Sequence, residues 1–427
     1  MTVASVAVIG RLTLTPAEPT AGLGPWCLFC GDLGGTDFVL NVLLFVPLGV
    51  ALGLWGVRRW WLYVVPLLLS LTIELLQWTV VPGRDAALGD VVANSVGGAL
   101  GLMALVRWEE LLLPNTRLAR RLAALGSLLV ITVLGAAGRL LQPEVPFLVH
   151  WVQWLPKKNG YDTFAGQLDS LQVNGVPLEA FAAVDPVFTP DVAAADRNDV
   201  RAVVRPRAQV PGHIALIARL AAPMDERFMI GRWGSDFVYR VRMRATSLGF
   251  RAPVGALPLA FGETDAASGD EALTSAMELE ASLQRTGLYL HTRGPSEEHE
   301  RFVTLSPAVA WAFVMPRDVP LGAQYQWWNA AFLCLLSLAP MYWLALSAAP
   351  RAQRERTVQG RFKTTVILAF FLSALASVHI LFGGAPFTAV EWTGVAAAGV
   401  IGQVTGWLGS AVRRQRVRVD TSWVAPE

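Results

Sequence analysis

Apolar runs long enough to cross a bilayer occupy residues 38–56, 60–81, 88–106, 121–141, 327–348, 364–382 and 389–411, with a shorter one at 2–14. A helical crossing needs about 20 mostly apolar residues, and lipid admits no other open structure, so few folds remain for such a chain. Charge is unevenly placed: most acidic residues fall between 142 and 320. Overall the chain is 53% hydrophobic and 16% charged, against about 25% charged in soluble domains. The expected fold is an α-helical polytopic membrane protein of seven spans, eight if 2–14 crosses, with an all-β domain inserted between two membrane blocks. The divisions are a first block at 1–141, the insert at 142–326, a three-span block at 327–411 and a tail at 412–427.

Basic residues set the expected orientation, because Lys and Arg concentrate in cytoplasmic loops. Arg58 and Arg59 follow the 38–56 run, and Arg107, Arg117, Arg120 and Arg121 lie between 88–106 and 121–141. Arg351, Arg354, Arg356, Arg361 and Lys363 precede 364–382, while Arg413, Arg414, Arg416 and Arg418 follow the last run. If every span crosses, all these loops share the cytoplasmic side. Loops 82–87 and 383–388 and the insert then lie outside, and the C-terminus lies inside.

The insert has strand periodicity. In DFVYRVRMRA, Phe237, Tyr239, Val241 and Met243 alternate with Val238, Arg240, Arg242 and Arg244. In MELEASLQ, Met277, Leu279, Ala281 and Leu283 alternate with polar residues. Alternation of period two marks strands with one buried face. HIALIARL, GLYLHTRG and AWAFVMP read as further short strands, so the insert is expected to be a β-sandwich. Arg240, Arg242 and Arg244 are candidate contacts for an anionic ligand, although pairing with Glu278 and Glu280 across strands is the preferred reading. GRWGSDFVYRVRMR and RTGLYLHTRG resemble pieces of concanavalin-like, laminin-G-type jelly rolls, a resemblance that implies glycan binding.

Within the first block, PLLLSLTIELLQWTVV places Glu74 and Gln77 inside an otherwise apolar helix. An ionisable residue at membrane depth is costly, so it is expected to face the bundle interior or a wet cavity. Asn41, Arg84, Asp90 and Asn94 reach a similar depth by chain order, with Arg84 the expected partner of Glu74 or Asp90. The six form a candidate ligand-binding cluster near the outer leaflet; a polar clamp between helices is the other reading. Gly97 and Gly101 form a GxxxG, and Gly394, Ala398, Gly402, Gly406 and Ser410 form a stripe of small residues; both mark close helix contacts.

DFVLNVLLFVPLG from Asp37, SLTIELLQ from Ser70 and PGRDAALGDVVANSVGGALG from Pro82 together resemble the VanZ-like family over roughly residues 25–141. The resemblance implies a multi-pass protein of the bacterial cytoplasmic membrane with a role in the cell envelope, and links it to glycopeptide (teicoplanin-type) antibiotic resistance. It implies no reaction. An offset of 301 maps Asp90 to Glu391, Gly98 to Gly399 and Gly101 to Gly402, but Arg84 to Ala385 and Asn94 to Val395. A degenerate repeat in the last block that keeps packing and not chemistry is one reading, and chance matches in Gly-rich spans the other.

No catalytic signature is present: His150, His213, His291, His299 and His379 lack ligand spacing, and there is no Walker A, GxSxG or GxGxxG motif. Cys27 and Cys30 form a lone CxxC, read as a possible disulfide and not as a metal site. No metal, cofactor or nucleic acid is expected. The expected partners are the lipid bilayer and a lipid-linked cell-wall precursor or glycan, bound without catalysis. The alternative is a proton-coupled transporter or flippase of an envelope precursor.

Overall fold

The apolar runs all form helices, most with limits within about six residues of those expected, while the last continues eleven residues beyond 411 to Ser422. They are α1 (Thr2–Thr13), α2 (Gly34–Leu54), α3 (Trp61–Thr79), α4 (Leu88–Val106) and α6 (Thr116–Leu140), with a short α5 (Trp108–Leu112) not foreseen. After the insert, which holds the one-turn α7 (Arg244–Ser247), come α8 (Tyr325–Ala348), α9 (Val358–Phe382) and α10 (Ala389–Ser422). The structure, a computed structural model, describes residues 2–15, 26–29, 31, 33–55, 61–83, 86–144, 150–158, 160–180, 183–184, 198–207, 210–221, 226–261, 275–348 and 358–422. Among these, six helices are long and apolar enough to cross a membrane: α2, α4, α6, α8, Thr365–Phe382 of α9 and Ala389–Val412 of α10. The helices Thr2–Thr13 and Tyr63–Thr79 are apolar but shorter.

Two helical cores result. Ile9 of α1, Phe45, Leu48 and Leu52 of α2, Ile73 of α3 and Leu102 of α4 make the first. Here α4 lies directly on α2, because Gly97 and Gly101 face the carbonyls of Val42 and Val46, and Gly49 faces that of Gly98. Without side chains in the way, the two backbones approach closely. The second core joins Ala123, Val130 and Leu134 of α6 to Leu333, Met341 and Leu344 of α8, Phe371, Leu375 and Val378 of α9, and Val395 and Ala398 of α10. By packing, α6 therefore joins the helices that follow the insert. The small-residue stripe of α10 lies on α8, with Gly394 against Ala330, Gly402 against Met341 and Gly406 against Ala345.

These glycines give a direct test. A side chain at Gly101 would overlap the backbone of Val46, whereas a Cβ at Gly399 meets nothing within 4 Å. Overpacking costs about 1–3 kcal/mol and more when the backbone must move, so Gly101→Leu is expected to destabilise by about 3 kcal/mol or more. Gly399→Leu should leave stability unchanged or slightly raised, since glycine is a poor helix former. Thermal unfolding in detergent compares the two; equal losses would mean that α2 and α4 do not touch as described.

The insert folds into two sheets. Its strands are β1 (His150–Trp154), β2 (Asp162–Thr163), β3 (Gly166–Val173), β4 (Val176–Pro177), β5 (Ala183–Val184), β6 (Asn198–Pro206) and β7 (Ala215–Ala221). They continue as β8 (Glu226–Trp233), β9 (Asp236–Val241), β10 (Val254–Pro258), β11 (Met277–Gln284), β12 (Gly287–Arg293), β13 (Glu298–Thr304) and β14 (Pro320–Leu321). One sheet runs β14-β10-β9-β8-β7-β1-β5 with β2 beside β7; the other runs β13-β12-β11-β6-β3-β4. Their inner faces share one core, with Ile217, Ile230, Phe237 and Tyr239 from the first and Val200, Val204, Leu279 and Leu290 from the second.

AWAFVMP is not a strand. Pro307–Val314 is a 3-10 helix, with Pro307 at its start and Ala308, Val309, Ala312 and Phe313 buried. Pro307 and Trp311 are buried as well, so burial shows no period here, and the proline, which suits a first helical turn, is the local signal for the helix. This helix joins the three bodies. Thr36 Oγ1 at the start of α2 donates to Phe313 O at 2.7 Å. On the other side Pro307 sits against Gly138 of α6 and Gly384.

One end of each sheet therefore rests on the helices. Pro143, just past α6, bridges to Met243, and Arg227 Nη1 donates to Glu144 O at 2.9 Å. Ala385 N donates to Leu305 O, and Leu305 N to Thr286 O. The turns at Gly234 and Gly294 lie at the opposite strand ends, away from the helices. Exposed tryptophans lie toward both ends of the helices: Trp26, Trp78, Trp327 and Trp328 near the β-domain, and Trp55, Trp61, Trp108 and Trp407 at the other helix ends. Trp61 and Trp78 stand about 26 Å apart along α3, close to the ~30 Å hydrocarbon thickness, where tryptophan prefers to sit.

Candidate functional site

Ser70, Glu74 and Gln77 follow each other at i, i+4 and i+7 on α3, a spacing that puts them on one helix face. All three are buried. Each makes a contact with a different element. Asn94 Nδ2 of α4 donates to Ser70 Oγ at 2.8 Å. Ala87 N, just before α4, donates to Glu74 Oε2 at 2.7 Å. Gln77 Nε2 donates to Thr13 O, at the end of α1, at 2.8 Å.

This stripe ties α1, α3 and α4 together on the side that bears the β-domain. It also leaves two acceptors without donors: Gln77 Oε1 and Asn94 Oδ1 are buried and have no hydrogen-bond partner among the described residues. An unsatisfied buried acceptor costs about 1–3 kcal/mol, so the pair is poised to accept from whatever donor enters. Asp90 meets the same turn as Glu74, since its backbone N donates to Ala87 O at 3.2 Å. The half-buried Asn41 lies on α2, beside the Val42 carbonyl that Gly97 packs against. Arg84 lies outside the described residues. Ser70 and Thr13 were not expected here. The i, i+4, i+7 spacing signals Ser70, but Thr13 supplies only a backbone carbonyl, which no sequence pattern marks.

Cys27 is disulfide-bonded, and Cys30 lies outside the described residues. The carbonyl of Cys27 accepts from Gly89 N at 3.1 Å, which holds this loop against the start of α4. Cys334 on α8 is a free thiol.

A second buried polar group lies in the other bundle. Glu391 Oε1 accepts from Ser306 Oγ and from Asn329 Nδ2, each at 2.6 Å, and Oε2 accepts from Thr388 N at 2.7 Å. Asn329 Oδ1 accepts from Trp311 Nε1 at 2.7 Å. Glu391 N also donates to Thr388 Oγ1 at 3.3 Å, which completes a capping box at the start of α10. TAVE before an apolar run is the sequence signal for that box. Every oxygen here is satisfied, so the group fastens α8, α10 and the 3-10 helix.

The arginines of the β-domain do not form one row. Arg240 is held by Glu226 at 2.9 Å, Asp318 at 3.4 Å and the Tyr161 hydroxyl at 2.6 Å. Arg242 lies 3.6 Å from Glu144 and donates to Ser247 Oγ. Arg244 opens α7 instead of continuing β9. The expected pairing with Glu278 and Glu280 does not occur, because β9 and β11 belong to different sheets. Glu278 instead lies 3.8 Å from Arg293, and Glu280 3.5 Å from Arg201.

No curated protein matches the chain, and no solved structure does. Residues 7–109 match the VanZ/LLP1 family. The match begins earlier than the motifs suggested, within α1, and stops before α6, which packs with the second bundle. It contains Thr13, Ser70, Glu74, Gln77, Asp90 and Asn94, so the bundle that carries the polar stripe is the part of the chain that is similar to the VanZ/LLP1 family, and its apolar helices fit a lipid bilayer.

Proposed function

We propose that the polar stripe of α3 receives the headgroup of a lipid-linked envelope component on the extracytoplasmic side, and that the concanavalin-like β-domain contacts the glycan above it. The observation that carries this reading is a buried carboxylate, Glu74, on one face with two donor-less amide oxygens, Gln77 Oε1 and Asn94 Oδ1. Hydroxyls, amides or an ammonium group of a headgroup would supply the missing donors. The orientation rests on Arg107, Arg117, Arg120 and Arg121, which lie at helix ends opposite the β-domain. Polar side chains on this face stop at Ser70, and Pro66, Val65 and Tyr63 follow toward the far end of α3. That favours a binding site over a path through the bilayer, and so over the transporter or flippase. The family resemblance supports a role in the envelope, and glycopeptide resistance is the phenotype it suggests.

Glu74→Gln keeps an oxygen for Ala87 N–H but removes the charge. The variant is expected to accumulate and unfold like the parent while losing about tenfold or more of the lipid-linked component that co-purifies with it. Mass spectrometry of the extracted lipids reads this out. Equal amounts of that lipid on both proteins would reduce Glu74 to a helix tie.

A further inference from the structure

A second candidate site lies at the far end of the β-domain, separate from the polar stripe; its assignment to a glycan rests on the β-domain reading proposed above, while its geometry does not involve Glu74. Arg232 is 2% exposed on β8. Its Nε donates to Gly234 O at 2.9 Å, its Nη1 to Arg207 O at 2.6 Å, and its guanidinium carbon stands 5.3 Å from the Phe261 ring centre. All these partners are neutral: no ion pair involves Arg232 among the described residues. Burial draws its pKa below the ordinary arginine value, and no carboxylate opposes that shift. Buried arginines are ordinarily paired, since an uncompensated charge in a protein interior is costly.

Arg232 lines a cavity of about 300 Å³ with Asp162, Phe164, Val210, Pro211 and Gly212. That volume is at the small end of the range for ligand pockets, which begins near 300 Å³. Asp162 Oδ2 accepts from His213 N at 2.7 Å, and Oδ1 has no partner among the described residues. The cavity thus holds one guanidinium and one carboxylate that do not pair with each other. A ligand with a lone carboxylate would satisfy Arg232 and leave Asp162 facing an anion. A ligand that carries a carboxylate and several hydroxyls satisfies both, as the hydroxyls donate to Asp162 Oδ1. The place also fits. Arg227, on the same strand, touches the Glu144 carbonyl beside α6, and five residues of strand put Arg232 about 16 Å further from the helices.

We infer that this cavity binds an acidic sugar residue of an envelope glycan, with its carboxylate on Arg232 and its hydroxyls on Asp162.

The test uses the full chain in detergent, with glucuronate and galacturonate as probes, glucose as the neutral comparison and acetyl-glycylglycine as a peptide carboxylate. Binding is read by saturation-transfer NMR. A sugar acid is expected to bind saturably, with glucose and the peptide each about tenfold weaker or more. Arg232→Gln should lose the sugar acid by a similar factor. Because Arg232 also holds two carbonyls, a second variant guards against misfolding: Gly212→Phe fills the cavity from a position where an added Cβ meets only Asp162 Oδ2, at 3.9 Å. It should abolish binding without changing the unfolding temperature, and Glu74→Gln should leave binding intact. The inference is overturned if no sugar acid binds, if glucose or the peptide binds as well, or if Gly212→Phe binds like the parent.

Discussion

Glu391→Leu is expected to destabilise the C-terminal bundle by about 3 kcal/mol or more, since three donors lose their acceptor at about 1–3 kcal/mol for each one left buried and unsatisfied. The substitution strands Ser306 Oγ, Asn329 Nδ2 and Thr388 N, all of which donate to this carboxylate. Glu391, Asn329 and Ser306 are each 0% exposed, so no water can replace the lost acceptor without the helices parting. Glu391→Gln keeps the size and one acceptor oxygen, and its loss should be about half as large. Thermal unfolding in detergent, followed by circular dichroism, compares both variants with the parent. A Leu variant as stable as the parent would show that the group contributes nothing net.

Arg240→Met should cost the β-domain a similar amount, about 3–5 kcal/mol, because Glu226 would stay buried without its cation. Asp318 is better placed, since Arg251 also holds it at 3.1 Å. The sign of the pH dependence follows from Glu226. Burial pushes its pKa up, but Arg240 first, and Lys158 after it, pull it down further, so the folded-state value is below the ordinary one. A depressed carboxylate pKa stabilises the fold above the unfolded-state value, near 4.3, and this contribution disappears as pH falls through the folded value. The deficit of Arg240→Met should therefore be largest near neutral pH and shrink below about pH 4. Unfolding midpoints across that range check it. A deficit independent of pH would remove Glu226 from the explanation.

Helix positions were legible because bilayer thickness imposes a length that a hydropathy pattern displays directly. Residues 88–106 and α4 coincide, and 389–411 lies within α10. Strands with one buried face were legible as well: Met277, Leu279, Ala281 and Leu283 all point into the core, as their alternation required. AWAFVMP misled because a short apolar run has no clear period, and Pro307 just before it was the better guide. In the site, Glu74, Gln77 and Asn94 stood out as polar residues among apolar ones. Their partners did not, since Thr13 O and Ala87 N are backbone atoms whose place depends on how the chain returns. The arginine pairings were hidden for a related reason. Alternation assigns a residue to a face of a sheet but does not say which strand lies opposite.

The packing of α6 on α8 has a consequence for how the chain is made. Between Leu140 and Tyr325 the ribosome must add 184 residues, which takes roughly 10–40 s at ordinary elongation rates. Throughout that interval α6 lies in the lipid without α8, α9 or α10, while the N-terminal helices already have one another. A nascent chain of this kind should be most exposed to membrane proteases at α6, and most in need of a holding chaperone, until the β-domain is finished and its second stalk arrives.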